Sequence, residues 1–480
     1  MSELVRSVGL LGTQRVVLLV LGAVRTKIAA ALLGPGGVGI LAQAMALREL
    51  LTALATLGAR SGYLKLVAEC HGRGDRDGLD RLVVTTVTLV AVVALVMAGG
   101  AALASERVSA WAFGNPAESV LVVLVGATVV LSVPAKMIAR TFAATLDYRT
   151  FLLIAVVEAT SAILSMAVLA SWFGVAGAVA SFAVIEGVIL VFGAVLLWRR
   201  IARPLGLTLR PSRFDGEVVR RLLRLAGALT VTSLTAAGVA VFVRAEILRQ
   251  LGTEANGYYQ VAWQVGQNYL GLIGAALWGY GMPKVATRIE DPEAILHLQN
   301  NFLRIVLTLL APGVLGLLAT RELWIPVLFT DAFLAAAGIV AWQLVGELVA
   351  MTRQSMNISL LPRERLRFLV VQALLYWGLW AGLSTALMPS LGAAAAAAGY
   401  FGANLLALVP TYLYHHRVLG YRLHAENRRL LAWSVPGIVV GVALTLQDDL
   451  VVGRLVPVAM AAGWLWMNRG LLERLRRRDL

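Results

Sequence analysis

The chain has 480 residues, 59% of them hydrophobic and only 14% charged, with a mean hydropathy of +0.79. Soluble domains carry about 25% charged residues, so a water-soluble fold is excluded, and repeated apolar runs of about 20 residues predict an all-α polytopic membrane protein. The net charge of +15 would suggest nucleic acid in a soluble chain, but here the arginines fall between apolar segments, where membrane topology accounts for them and no nucleic-acid partner is expected.

Fourteen spans are predicted, at about 6–33, 38–66, 82–104, 117–142, 150–172, 176–198, 218–248, 257–287, 296–319, 331–360, 366–388, 391–415, 430–446 and 451–468. The first is long, carries interior cations and lacks a small-residue cleavage site, so it reads as a span and not as a cleaved signal peptide. A tight turn is expected at Gly34, Pro35, Gly36 and Gly37 between spans one and two. The second, eighth and tenth spans run long, as tilted or protruding helices do.

Basic residues set the orientation. Arg73, Arg76 and Arg81 follow span two. Arg199, Arg200, Arg203, Arg210 and Arg213 follow span six, and Arg363, Arg365 and Arg367 follow span ten. Arg417, Arg422, Arg428 and Arg429 follow span twelve, and Arg474, Arg476, Arg477 and Arg478 close the chain. The alternate connections at 34–37, 173–177, 389–392 and 447–450 are nearly free of cations. An even number of spans puts every basic loop on one side, which the positive-inside rule makes cytoplasmic, together with both termini. The largest connection on the other side, 105–118, is too short for a catalytic domain.

The chain repeats itself weakly. Arg25 falls on Arg244, Leu33 and Gly34 on Leu251 and Gly252, Gly39 on Gly257, and Tyr63, Leu64 and Lys65 on Met282, Pro283 and Lys284, always at an offset of 218 or 219 residues. Landmarks holding one offset point to a duplicated six-span bundle. The resulting division is 1–200 as an N-terminal lobe, 201–217 as a basic linker, 218–418 as a C-terminal lobe, 429–468 as two additional spans and 469–480 as a basic tail. Six spans separate the repeats, so they are parallel, related by an axis along the membrane normal.

Polar groups inside spans are the functional candidates, because an arginine at mid-bilayer costs about 2.5–3.5 kcal/mol and must face protein or water. Ser7, Gln14 and Arg25 share one face of span one. Thr230, Ser233 and Arg244 share a face of span seven, and Gln14 and Ser233 are repeat-related. Two readings stay open for the arginines: a cleft lined by both halves, or snorkelling to headgroups from the span ends. Gln260, Gln264, Gln267 and Asn268 form a polar stripe on span eight. Gln43, Arg48 and Glu49 lie on span two, and Gln343, Glu347, Gln354 and Asn357 on span ten, with Arg353 adjacent. Amides suit sugar hydroxyls and guanidinium forks suit phosphate oxygens, although interhelical hydrogen bonding is the plainer use of such amides. The acids Glu49, Glu158 and Glu347, with Glu186 and Glu246, are either proton or sodium sites or structural partners of arginines.

Enzyme chemistry and cofactors are not expected. The five histidines fall in or beside predicted cytoplasmic loops, and the adjacent His415 and His416 diverge on a helix, so no metal site is read. One cysteine, Cys70, allows no intrachain disulfide and no thiolate cluster. The glycines at 34–39 lack the Lys-Ser/Thr of a phosphate loop.

The hairpin of Arg25, Leu33, Gly34, Pro35, Gly39 and Ile40, the six-plus-six duplication and the two appended spans resemble the polysaccharide flippases, the O-antigen and exopolysaccharide exporters of the multidrug/oligosaccharidyl-lipid/polysaccharide (MOP) superfamily. That resemblance implies two six-helix lobes in a V, alternating access, a glycan on undecaprenyl pyrophosphate as cargo, membrane lipids as neighbours, a bacterial cytoplasmic membrane, and coupling to an H+ or Na+ gradient. In the related peptidoglycan-precursor flippases, a first-span arginine and one in the second lobe contact the pyrophosphate. Arg25 matches the first by position, and Arg244 corresponds to the second only through the internal repeat. Fourteen spans are common in that branch and twelve in many O-antigen flippases, so the branch stays open. Two alternatives to a flippase are kept: an ion-coupled exporter of drugs or organic cations from the same superfamily, whose cavity acids should dominate, and a membrane glycan polymerase or ligase, which needs an extramembrane domain.

Overall fold

The computed structural model describes residues 2–145, 147–445, 447, 449 and 451–470. Side chains are described from Leu19 onward save at 60, 61, 148, 225, 226, 228, 268, 269, 272, 273, 275–277 and 280. Regular structure among these residues is helical: α1 (Ser2–Thr56), α2 (Ala59–Gly72), α3 (Arg76–Leu103), α4 (Ser105–Phe113), α5 (Ser119–Ala144), α6 (Tyr148–Leu197), the single turn α7 (Arg203–Leu205), α8 (Gly216–Leu251), α9 (Thr253–Gln264), α10 (Gly271–Ala286), α11 (Pro292–Ile305), α12 (Ala311–Ala319), α13 (Arg321–Leu328), α14 (Ala337–Asn357), α15 (Leu366–Leu391), α16 (Ala395–Leu419), α17 (Ala425–Thr445) and α18 (Val456–Met467).

Nine helical stretches among the described residues are long and apolar enough to cross a membrane. Three of them, Leu19–Thr56, Arg149–Leu205 and Leu366–Leu419, contain a break at a glycine with positive φ. At Gly34 (φ 62°, ψ −176°) the chain turns immediately before Pro35, which has no N–H to continue the helix. Gly174 (φ 55°) breaks α6, and Gly392 (φ 52°) separates α15 from α16. With those breaks, and with α9–α10 and Val451–Met467, the helices are compatible with the fourteen spans expected. The tight turn expected at 34–37 is this break. The 105–118 connection differs from the expected loop: it folds as α4, which ends where Gly114 takes φ 72°.

The chain divides into two compact units, Met1–Gly257 and Tyr258–Leu480. This packing division falls some 40 residues after the basic linker at 201–217, because α8 belongs to the first unit. Thr230 Oγ1 on α8 donates to the Leu57 carbonyl (3.1 Å), and Arg221 reaches Glu69 on α2 at 3.0 Å. The linker itself is tied down. Asp80, at the start of α3, accepts from Thr208 Oγ1 (2.7 Å) and from the backbone N–H of Leu209 (2.9 Å), and Arg213 pairs with Asp77 at 2.7 Å. The apolar core of the first unit runs through α1, α3, α5 and α6, with Val129, Val133, Met137 and Phe142 fully enclosed. Tyr63 Oη and Thr141 Oγ1, 2.7 Å apart, fix α2 against α5.

Gly39 and Gly257, 218 residues apart in the chain, make a close backbone approach in this unit. A β-carbon on Gly39 would lie 2.0 Å from the Thr253 carbonyl oxygen, and one on Gly257 would lie 2.0 Å from the Pro35 carbonyl oxygen. The backbones of α1 and α9 therefore cross with no room for a side chain, and Asn256 Nδ2 donates to the Gly39 carbonyl at 2.6 Å across the same contact. Gly39→Ala or Gly257→Ala must push the crossing apart, and should destabilise the protein by about 1–3 kcal/mol. Gly238→Ala on α8, where nothing lies within 4 Å, should be neutral. Thermal unfolding of the purified protein in detergent reads both, and equal melting temperatures for all of these variants would contradict the crossing.

Candidate functional site

Within the first unit, α1, α5 and α6 enclose a cavity of about 290 Å³ lined by Arg25, Arg48, Lys136, Glu158, Glu186 and Phe182, among others. Each polar group arrives on an apolar helix. Arg25 and Arg48 lie on either side of the Gly34 break, so the turn brings them to one chamber. Phe182 lies between them, 4.9 Å from the Arg48 guanidinium and 5.6 Å from that of Arg25. A guanidinium over an aromatic face gains about 0.5–2 kcal/mol. Lys136 Nζ lies 3.6 Å from Glu186 Oε1, and Glu186 is nearly sealed from solvent. Arg48 also pairs with Glu49 at 3.2 Å, yet its Nε–H is buried and meets no hydrogen-bond partner among the described residues.

The other first-unit candidates lie elsewhere. Arg244 is buried at 5% exposure; its Nη1 donates to Asn256 Oδ1 at 3.2 Å, the same Asn256 that clamps Gly39, and it is not among the residues lining the cavity. Gln43 is fully buried and donates to the carbonyls of Ala112 (2.6 Å) and Val241 (3.3 Å), joining α1 to α4 and α8. Ser233 is exposed and bonds back to the Thr230 carbonyl at 3.0 Å. Glu49 is half exposed beside Arg48, and Glu158 lines the cavity. The side chains of Gln14 and Asn268 lie outside the described residues.

The second unit holds a separate polar cluster. Glu347 on α14 is 1% exposed, and its Oε1 accepts from Gln267 Nε2 (3.1 Å) and Gln343 Nε2 (3.0 Å). Gln267 sits in the π-helical turn Val265–Leu270, a local widening of the kind frequent at functional sites. A β-carbon on Gly266 would lie 2.7 Å from Glu347 Oε1, so the glycine lets the helix approach the carboxylate. One and a half turns further along α14, Arg353 donates from Nε and Nη2 to Asn404 Oδ1 (3.3 and 3.1 Å) and lies 4.7 Å from the Tyr376 ring. Trp263 stacks on Trp380 at 5.5 Å beside Tyr400. Gln260 Nε2 approaches Gln264 Oε1 at 3.5 Å. Asn357 Oδ1 accepts from Gln372 at 3.4 Å, and Gln354 borders a small void of about 10 Å³ under Met351. The amides read as one stripe thus point to different neighbours. Among the described residues, no group of three or more His, Cys, Asp or Glu side chains is placed to hold a metal.

Lys136 is the charged cavity residue that the sequence candidates lack. Its signal was available: a lysine on the largely apolar α5, two residues after Pro134 and one turn before Arg140, has to meet an acid or water.

The helical framework, with a charged chamber within it, is that of a polytopic membrane protein. The solved structures bear on that class: a lipid II flippase, MurJ, in an inward closed conformation superposes with TM-score 0.69 at 11% identity, over 96% of this chain and 97% of its own. An inward-facing MATE family multidrug resistance transporter of the MOP superfamily superposes with TM-score 0.66 at 16% identity, over 84% and 94%. The chain therefore has the fold of MOP-superfamily transporters. It belongs to the polysaccharide biosynthesis protein family, whose model matches residues 28–338. The lipid III flippase of Escherichia coli (strain K12) is 25% identical over 380 residues, 79% of this chain and 90% of that protein.

Lys136→Met removes the nearest cation from the buried Glu186, which should cost about 1–3 kcal/mol, the value of a buried polar group that loses its partner. The single variant should unfold at clearly lower temperature, and Lys136→Met with Glu186→Leu should recover most of the loss. A double variant no more stable than the single one would show that the two groups are not a pair.

Proposed function

We propose that this protein is a flippase for a polyprenyl-diphosphate-linked oligosaccharide, such as an O-antigen or exopolysaccharide repeat unit, and that the Arg25 chamber receives the diphosphate. The observation that carries the reading is the donor set. Three cations, Arg25, Arg48 and Lys136, surround one cavity against two carboxylates, Glu158 and Glu186, and the Arg48 Nε–H meets no acceptor among the described residues. A buried donor left unpaired costs about 1–3 kcal/mol, and phosphate oxygens are the acceptors a guanidinium fork fits best. At about 290 Å³ the chamber is at the small end of ligand pockets, which start at about 300 Å³. It suits a diphosphate, leaving the sugars to extend beyond it. The 25% identity to a protein named lipid III flippase over most of both chains supports the same cargo class. The balance of cations over acids argues against an organic-cation exporter, and the chain is read as a transporter and not an enzyme.

The cargo moves from the cytoplasmic to the outer leaflet of a bacterial cytoplasmic membrane, with the basic loops and both termini inside. Alternating exposure of the chamber to the two sides moves the headgroup, and the lipid tail stays in the bilayer. Arg244 and Gln43 act as positioning residues, since their hydrogen bonds go to Asn256 and to backbone carbonyls. Ser233, Gln260, Gln264, Gln354 and Asn357 remain candidates for sugar contacts. Coupling runs on H+ or Na+. Of Glu49, Glu158 and Glu347, the last is best suited: its carboxylate is enclosed and, among the described residues, is met by amides and not by a cation. Such a group needs a proton or a metal cation to neutralise it.

Arg25→Ala and Arg48→Ala each remove charge-assisted hydrogen bonds worth about 1.5–3 kcal/mol, and should lower export about 10- to 150-fold. Complementation of a strain lacking its own lipid-linked oligosaccharide flippase, with membrane levels of each variant checked by immunoblot, measures this. Full surface glycan from the Arg25→Ala/Arg48→Ala double variant would sink the assignment.

A further inference from the structure

The two C-terminal helices close a second and larger cavity, of about 560 Å³, lined by Arg304 at the end of α11, Glu426, Arg429 and Trp433 on α17, and Trp464 and Met467 on α18. We propose that it is a binding site for the headgroup of an anionic glycerophospholipid, separate from the cargo chamber.

The chemistry of the walls selects that occupant. Glu426, Arg429 and Trp433 recur at helical spacing and share one face of α17. Arg304 pairs with Glu426, which leaves Arg429, among the described residues of the lining, as the excess charge. Among the described residues, two buried N–H donors, Arg304 Nε and Trp464 Nε1, meet no acceptor. Both groups can only donate, so what completes them must bring oxygen acceptors, and negative charge fits the excess cation. Trp433, 74% exposed, and Met467, 66% exposed, supply an apolar border beside the polar groups. Tryptophan beside arginine is the pattern of the headgroup level of a bilayer, and basic pockets between spans bind anionic lipid heads. Arg429 also belongs to a basic connection, the side on which a leaflet lipid would present its phosphate.

The site is built and not fluid. Asn300 Nδ2 donates to the Arg422 carbonyl (3.0 Å), its Oδ1 accepts from the His424 N–H (2.9 Å), and Asn427 Nδ2 donates to the Asn300 carbonyl (2.8 Å). These bonds lock α17 against α11 and hold Arg304 and Arg429 at one rim. A phospholipid held there would join α17 and α18 to α11 through its phosphate.

The test uses the full-length protein, delipidated in detergent and titrated with phosphatidylglycerol or phosphatidylcholine of the same acyl chains under native mass spectrometry. Phosphatidylglycerol should bind about tenfold more tightly, the value of one charge-assisted hydrogen bond. Arg429→Gln and Trp464→Phe should each reduce that preference several-fold, Arg429→Lys should keep most of it, and Arg428→Gln, an exposed neighbour outside the lining, should leave it intact. Equal binding of the two lipids by the parent protein overturns the proposal. So does an undiminished preference in the Arg429→Gln and Trp464→Phe variants, or a loss in Arg428→Gln as large as in Arg429→Gln, which would reduce the effect to bulk charge.

Discussion

A guanidinium carried on a membrane-spanning helix must be enclosed by dipoles, rings or carboxylates, because hydrocarbon offers it none. Much of the first unit answers that demand. Phe182 supplies an aromatic face to Arg25 and Arg48, Glu186 holds Lys136, and Asn256 takes up Arg244. Two outcomes follow from the same requirement. Arg244 is buried in packing, whereas the Arg25 chamber keeps open volume and a donor that meets no acceptor among the described residues. The difference separates a cation that holds the fold from cations that can grip a passing anion.

Both outcomes trace to the break at Gly34. Without a residue tolerant of positive φ there, α1 could not fold back, and Arg25 and Arg48 would be carried more than 30 Å apart on one straight helix of about 1.5 Å rise per residue. The glycine crossing at Gly39 and Gly257 then seats the returning segment against α9, and Asn256 links that crossing to Arg244. Backbone geometry set by a few small residues thus decides where the charges lie. In the second unit the same device appears at Gly266, which lets a π-turn bring Gln267 to Glu347.

The helical class, the turn at 34–37 and the run of spans were legible in the sequence, because hydrophobic periodicity and glycine-proline chemistry are local signals. The repeat correspondence of Gly39 with Gly257 was legible too, and the structure gives it a physical cause in mutual close packing. Side-chain destinations were harder to read. Gln43 looks like a cavity amide, but its partners are carbonyls 69 and 198 residues away, and nothing in the local pattern names them. Lys136 was visible as a cation on a largely apolar helix, one turn before Arg140, yet its partner Glu186 lies on another span. The stripe on α9 and α10 reads as one face only if the helix is regular, and the π-turn at Val265–Leu270 alters that register. The packing division after α8 likewise depends on long-range contacts that a duplication offset does not encode.

The central claim is that the Arg25 chamber binds the diphosphate of a lipid-linked glycan. Native mass spectrometry of the protein, purified gently from cells that make such a glycan, tests this most directly when parent and Arg25→Ala/Arg48→Ala proteins are compared. A mass increment equal to a polyprenyl-diphosphate glycan on the parent, absent from the variant, is the expected result. No such adduct on the parent, or the same occupancy on both, would contradict it.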